Sequence, residues 1–366
     1  MNERLQVFYH IRSDASAIEE RARAIAIEQS VEAPLSAIRD PWILSDIIGE
    51  VAAIKDLGDG LFSVRVDLAA ATVGEDAGQL VNMLFGNTSL YEDVTLDDAI
   101  FPESLLDTFG GPRHGASRLR ARASARARAL TCSALKPQGL SAEELALLAY
   151  KLALGGIDYI KDDHGLANQS YSPFEERLPA CAASVRRAAA ETGKPARYVP
   201  NLCGHLGEIE HQLDLAREEG CDTVMIAPMI AGVSTLAALR EGYPDFAFIA
   251  HPAMTGTRIS PYLFARLFRL FGADAFIFPN PGGRFGFTKN ACGKIIEALR
   301  GPLFGLKASL PVPAGGMSLE RVPELLDTYG RDAMLLIGGA LLSAPPEKLV
   351  EETAAFTRVV AEHSYK

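Results

Sequence analysis

The chain has 366 residues, 48% of them hydrophobic and 22% charged. That length suits two domains, or a small domain beside a barrel-sized one, and the composition excludes a disordered or collagen-like chain. With 36 lysines and arginines against 46 aspartates and glutamates the formal charge is −10, which argues against a nucleic-acid partner and leaves any anionic substrate to a local site.

The opening MNERLQVFYHIRSD is charged within four residues and lacks the apolar stretch of a signal peptide. No run is long and apolar enough to span a membrane. The five cysteines (Cys132, Cys181, Cys203, Cys221 and Cys292) are scattered and form no CxxC, which predicts neither a disulfide framework nor a zinc knuckle. The expectation is a reduced, cytoplasmic protein without a membrane partner. Period-two alternation predicts strands over Leu5–Ile11 and Leu61–Leu68, and helical periodicity predicts helices over Ser16–Gln29 and Gly78–Phe85. Together they suggest an N-terminal α+β domain of ferredoxin-like type over residues 1–128, with helices on one face of an antiparallel sheet. Its last segment, RLRARASARAR, carries Arg118, Arg120, Arg122, Arg126 and Arg128 and reads as a solvated interdomain connection.

From residue 129 the pattern changes and repeats. Apolar runs occur at 130–135, 159–161, 198–202, 223–227, 246–250, 275–278, 306–312 and 334–337, with helical stretches such as 142–154, 175–192, 209–219 and 319–329 between them. Eight alternations over residues 129–366 match a parallel (β/α)8 TIM barrel, an α/β fold of about 250 residues. A doubly wound open sheet would show fewer strands and an early GxGxxG turn, which is absent.

Active sites of such barrels lie at the C-terminal ends of the strands. Those ends carry Lys136, Lys161, Asp162, Asp163, His164, Asn201, His251 and, after strand six, Arg284. Gly315-Gly316 and Gly338-Gly339 follow strands seven and eight, where backbone amides can approach a phosphate closely. Strand alternation puts Lys161 and Asp163 on one face. A neutral lysine there could form a carbamate, an oxygen ligand for a hard cation such as Mg²⁺; a plain ion cluster at a strand end fits the spacing equally well.

With these residues in hand, the chain resembles the large subunit of RuBisCO, and more closely the form IV RuBisCO-like proteins. GGIDYIKDDHG (155–165) resembles the family's metal-site motif GG-x-D-x-x-K-x-D-E, which puts Lys161 at the carbamylated lysine and Asp163 at a ligand aspartate, with His164 where a glutamate ligand is expected. LKPQGLS (135–141) resembles I-K-P-K-x-G-L-S, one residue shorter, and places Lys136 at the proton-carrying lysine while Gln138 replaces a second lysine. His251 and Asn201 match the family's histidine and asparagine after strands five and three. Gly315, Gly316, Gly338 and Gly339 match the glycines that bind one substrate phosphate. Glu28 in AIEQS and Asn87 in FGNTS resemble residues that reach the neighbouring subunit's barrel, which implies a homodimer with shared active sites.

The departures matter as much. Arg284 stands where the family's mobile lysine assists carboxylation, and Pro252, Ile277 and Ala314 stand where an arginine, a histidine and a serine hold a second phosphate. Arginine is not equivalent to lysine, and burying a dianion without partners costs several kcal/mol. The resemblance therefore implies a phosphorylated small-molecule substrate with one phosphate, and enolisation by proton abstraction next to a carbonyl, with bisphosphate carboxylation excluded. An isomerase of 5-methylthioribulose 1-phosphate is the leading expectation. A decarboxylase or transcarboxylase/hydrolase of 3-oxo-isoapionate 4-phosphate and an inactive sugar-phosphate-binding barrel are the alternatives. Mg²⁺ and CO₂, the latter as the Lys161 carbamate, are the implied cofactors, with His164 an unusual ligand for magnesium.

Overall fold

A computed structural model describes residues 3–256, 258–283 and 285–365. The N-terminal part is a four-stranded sheet in the order Glu50–Gly58, Leu61–Ala69, Arg4–Arg12, Val94–Ile100, with antiparallel pairing throughout. With helices Ile18–Glu28 and Ala77–Phe85 between strands, this is the βαββαβ ferredoxin-like arrangement. Leu5, Val7, Tyr9 and Ile11 alternate inward on one strand and Phe62, Val64, Val66 and Leu68 on its neighbour. Ile25, Leu80 and Leu84 of the two helices lie in the same core. The alternation predicted two strands; the structure adds Glu50–Gly58 and Val94–Ile100. The first is an outer strand whose register shifts between Val51 and Ala53 and again between Asp56 and Gly58, so its half-buried Val51 and Ile54 fall three positions apart and do not alternate. The second turns Asp97 and Asp98 toward Tyr262 and Arg266 of a barrel helix, and its Leu96 exchanges backbone hydrogen bonds with Arg258 and Ser260. Its acidic residues dock one part of the chain on the other.

The barrel strands are Leu130–Leu135, Tyr159–Asp162, Arg197–Leu202, Thr223–Ile226, Ala247–Ala250, Ala275–Pro279, Leu310–Ala314 and Met334–Leu336, all parallel. The third is interrupted at Pro200, which has no N–H to donate. Its halves, Arg197–Val199 and Asn201–Leu202, pair with strands two and four respectively, and the Pro200 carbonyl accepts from Met225, so the sheet closes. Strand seven begins at Leu310 and not at Leu306, because Arg269 takes the carbonyls of Leu306 and Lys307 and keeps that stretch out of the sheet. The interior is packed by Cys132, Tyr159, Val199, Met225, Ile249, Ile277, Val312 and Met334. Among the described residues no helix is long and apolar enough to cross a membrane.

The arginine segment is a solvated connection only in part: Arg118 and Arg126 are exposed, but the other three arginines are paired. Gly115–Arg122 is a helix at the N-terminal end of the barrel, where its Leu119 joins the interior core. Arg120 pairs with Asp332, Arg122 with Asp222 at 3.4 Å, and Arg128 with Asp158 through two 2.7 Å hydrogen bonds. Each aspartate stands just before a barrel strand. Asp274, before strand six, accepts the amides of His114, Gly115 and Phe248. Sequence alone could not reveal these partners, which lie 30 to 212 positions away.

Candidate active site

Strand one delivers Lys136 to the rim through a cis Lys136–Pro137 peptide. The loop then ends in a capping box. The Ser141 hydroxyl accepts from Glu144 N–H, and the Glu144 carboxylate accepts from Ser141 N–H, which starts helix Ala142–Leu154. Strand two alternates as expected. Lys161 and Asp163 face the barrel mouth, whereas Asp162 turns outward to the fully buried Arg177 at 3.2 Å and to the Tyr198 hydroxyl at 2.7 Å. Asn201 is buried, and its side-chain amide donates to the carbonyls of His164 and Leu166 at 3.1 and 2.8 Å. It therefore braces the loop that bears Asp163 and His164.

Five predicted residues come together here. Asp163 Oδ1 lies 2.9 Å from Lys136 Nζ and 3.2 Å from His164 Nδ1. The His164 ring stacks on His251, centroids 4.2 Å apart and planes within 9°. Lys161 is buried beneath, its Nζ donating to the Asp162 carbonyl at 2.8 Å. Burial holds its ammonium below the ordinary lysine range, outweighing the pull of Asp163. Burial raises the Asp163 carboxyl, but its hydrogen bonds to His164 and Lys136 and the charges of Lys161 and Lys136 together outweigh burial and hold it well below the usual carboxylate range. Burial, reinforced by the nearby Lys161 and His164, pushes His251 down to about 2. His251 is thus a neutral imidazole. Its Nδ1 accepts from Ala253 N–H, which leaves the proton on Nε2.

Gly315 and Gly316 form a turn with φ of +78° and +63°, a left-handed backbone that suits glycine. A Cβ on Gly316 would sit 2.7 Å from Gly283 Cα, so the loop after strand six packs directly on this turn. Gly338-Gly339 opens the short helical turn Gly339–Leu342 after strand eight, where a Cβ at either glycine would meet open space. Arg284 lies outside the described residues. Ile277 is buried in the barrel interior, with Pro252 and Ala314 partly exposed at the strand ends. All three positions are apolar.

Glu28 and Asn87 are brought to each other and not into this cluster. Asn87 Nδ2 donates to Glu28 and Glu32 at 2.9 Å each, on the surface of the N-terminal part. Gln29, which sequence reasoning passed over, is buried under them. It donates to the carbonyls of Asn82 and Met83 and accepts from Thr88 N–H. A glutamine inside an apolar helical stripe was the available signal.

The donor set can be tested against the metal that the motif implies. Among the described residues, no three His, Cys, Asp or Glu side chains are gathered to hold an ion. Asp163 and His164 stand beside a buried lysine of lowered proton affinity, so the set is complete only if Lys161 contributes an oxygen as its carbamate. On that condition the residues fit a divalent cation with mixed oxygen and nitrogen ligands.

Residues 115–348 match the family described as ribulose bisphosphate carboxylase large chain, catalytic domain. The chain is 55% identical over 364 residues to 5-methylthioribulose-1-phosphate isomerase of Rhodospirillum rubrum, spanning 99% of this chain and 97% of that one. It is 49% identical to ribulose bisphosphate carboxylase-like protein 1 of Rhodopseudomonas palustris, over 99% of each. The crystal structure of a Rubisco-like protein from Rhodopseudomonas palustris superposes with a TM-score of 0.93 over 100% of both chains, at 47% identity.

Proposed function

This chain belongs to the ribulose bisphosphate carboxylase large-chain family, in its RuBisCO-like branch, and from that premise we propose that it is an isomerase of a monophosphorylated ketose, of the kind represented by 5-methylthioribulose 1-phosphate. The observation that carries this reading is the pair formed by Lys136 and Asp163 at 2.9 Å, partly open at the barrel mouth, opposite an apolar far end at Pro252, Ile277 and Ala314. The 55% identity to a 5-methylthioribulose-1-phosphate isomerase supports it. Lys136, as the neutral amine, removes the proton from the carbon next to the carbonyl, and as the ammonium so formed it returns that proton to the former carbonyl carbon. The carbonyl thus moves by one position, while a hydroxyl proton passes between the two oxygens. Neutral His251, with its proton on Nε2, is placed to donate a hydrogen bond to the oxyanion that develops. The phosphate rests on the amides of Gly315, Gly316, Gly338 and Gly339, and Arg284 is assigned a catalytic role on its sequence position alone. Lys161 (as its carbamate), Asp163 and His164 would hold Mg²⁺, which when bound would supply Lewis-acid stabilisation to a developing oxyanion.

Glu28 and Asn87 complete the site of a second subunit in a homodimer. Their pairing on the surface of the N-terminal part, away from their own barrel's cluster, supports that assignment. The five cysteines are all free thiols, in keeping with a reduced, cytoplasmic setting. The test is incubation with 5-methylthioribulose 1-phosphate in D₂O. Incorporation of solvent deuterium next to the carbonyl, with formation of an isomer, is expected; retention of all substrate protons would reject enolisation. Release of CO₂ from a phosphorylated β-keto acid would instead assign the site to a decarboxylase.

A further inference from the structure

The turn after strand seven does not hold its shape alone. Arg321, in the 3₁₀ turn Leu319–Arg321 that leads into helix Val322–Tyr329, reaches back with both ends of its guanidinium. Nη1 donates to the Gly316 carbonyl at 2.7 Å and Nη2 to the Pro281 carbonyl at 2.8 Å. Glycines fill the space between: Gly282 with φ +76°, whose Cβ would lie 3.5 Å from the Arg321 nitrogens, and Gly283, whose Cβ would lie 3.2 Å from the Gly315 oxygen. One planar cation therefore ties the loop after strand six to the turn after strand seven. In a trans peptide the C=O and N–H point in opposite directions. By holding the carbonyls of Pro281 and Gly316, Arg321 fixes where the next amides, Gly282 N–H and Met317 N–H, are aimed. Its guanidinium also has Glu324 at 3.9 Å from Nε, so the clamp acts through its two hydrogen bonds more than through net charge. Lysine, with one ammonium on a flexible stem, cannot match two carbonyls in this fixed fork.

We propose that Arg321 is a positioning residue of the phosphate site: it sets the phosphate affinity of the Gly315-Gly316 turn by clamping that turn to Pro281–Gly283. This rests on the assignment of the glycine turns to phosphate. The experiment uses the full chain with inorganic phosphate as the probe, measured by direct titration and by competition with substrate. It is run on the wild type, Arg321→Met and Arg321→Lys, with amide hydrogen exchange over residues 280–287 and 314–319. Arg321→Met is expected to weaken phosphate binding and raise KM by roughly tenfold, the scale of one lost hydrogen bond to a charged group. It should leave kcat within about threefold and speed exchange in both segments, with Arg321→Lys between it and the wild type and added guanidinium restoring part of the loss. Faster exchange with unchanged phosphate affinity would overturn the assignment of Arg321 alone, leaving it a purely structural clamp. A wild type that binds no phosphate would overturn the phosphate reading and this proposal with it.

Discussion

The two ends of the barrel carry similar residues in opposite states of satisfaction. At the N-terminal end Asp158, Asp222, Asp274 and Asp332 are each tied to an arginine or to backbone amides. Asp158 alone accepts from Arg128, from Thr131 N–H and from the Thr131 hydroxyl. At the C-terminal rim Lys136 is partly open, Lys161 has lost proton affinity by burial, and His251 is forced neutral. Charge that is fully paired stabilises and does nothing further. Charge that is buried or incompletely paired is available to bind and to move protons. The difference lies in how many partners each group finds, and the same amino acids serve both ends.

Substitutions at each end should separate these roles. The largest effect is expected for Lys136→Met, which should cut turnover by on the order of 100- to 10,000-fold, the range for a general acid or base. Its melting temperature should stay within a few degrees of the wild type. A comparable loss of folding stability with unchanged turnover would erase the contrast. At the other end Asp274→Ala strips three backbone amides of their buried acceptor and should cost about 3–5 kcal/mol in urea unfolding. Molecules that remain folded should keep their kcat. Gly316→Ala comes next. A side chain at φ +63°, 2.7 Å from Gly283, should cost about 1–2 kcal/mol and show chiefly as a raised KM.

The smallest effect concerns His114, whose Nε2 is buried without a hydrogen-bond partner among the described residues. Burial depresses its pKa below the ordinary histidine value, more than the nearby Asp274 raises it. The unfolded chain therefore binds a proton near pH 6.5 that the folded chain refuses. Stability from this group is present above that pH and is lost as pH falls. His114→Gln should flatten the decline between about pH 6.5 and 5.5 by less than about 1 kcal/mol, measured as the difference between two urea series.

Much of this was legible before any coordinates. Helix Ala142–Leu154 has the bounds that its helical stretch between two strand-like runs suggests, and the Ser141–Glu144 capping box seen in the structure accounts for its start. The rim residues could be located because a parallel barrel fixes which strand ends form the mouth. Strand Glu50–Gly58 was not legible, since its bulges set the half-buried Val51 and Ile54 three positions apart and erase the period of two. The partners of the arginine segment were hidden for another reason. Ion pairs across a closed barrel join distant positions and leave no local period, although an aspartate ahead of four separate strands was a hint in plain view. The Asp163–His164–His251 arrangement needed the third dimension, for stacking of rings 87 positions apart depends on strands two and five facing across the mouth.

The aspartates that precede the barrel strands also bear on how such a protein can change over generations. Because the closed end secures the scaffold without calling on any residue of the mouth, a lineage can exchange groups at the mouth one at a time and still inherit a folded barrel. Against the RuBisCO motifs that this chain resembles, His164 stands at a glutamate position and Gln138 at a lysine position, both at the mouth.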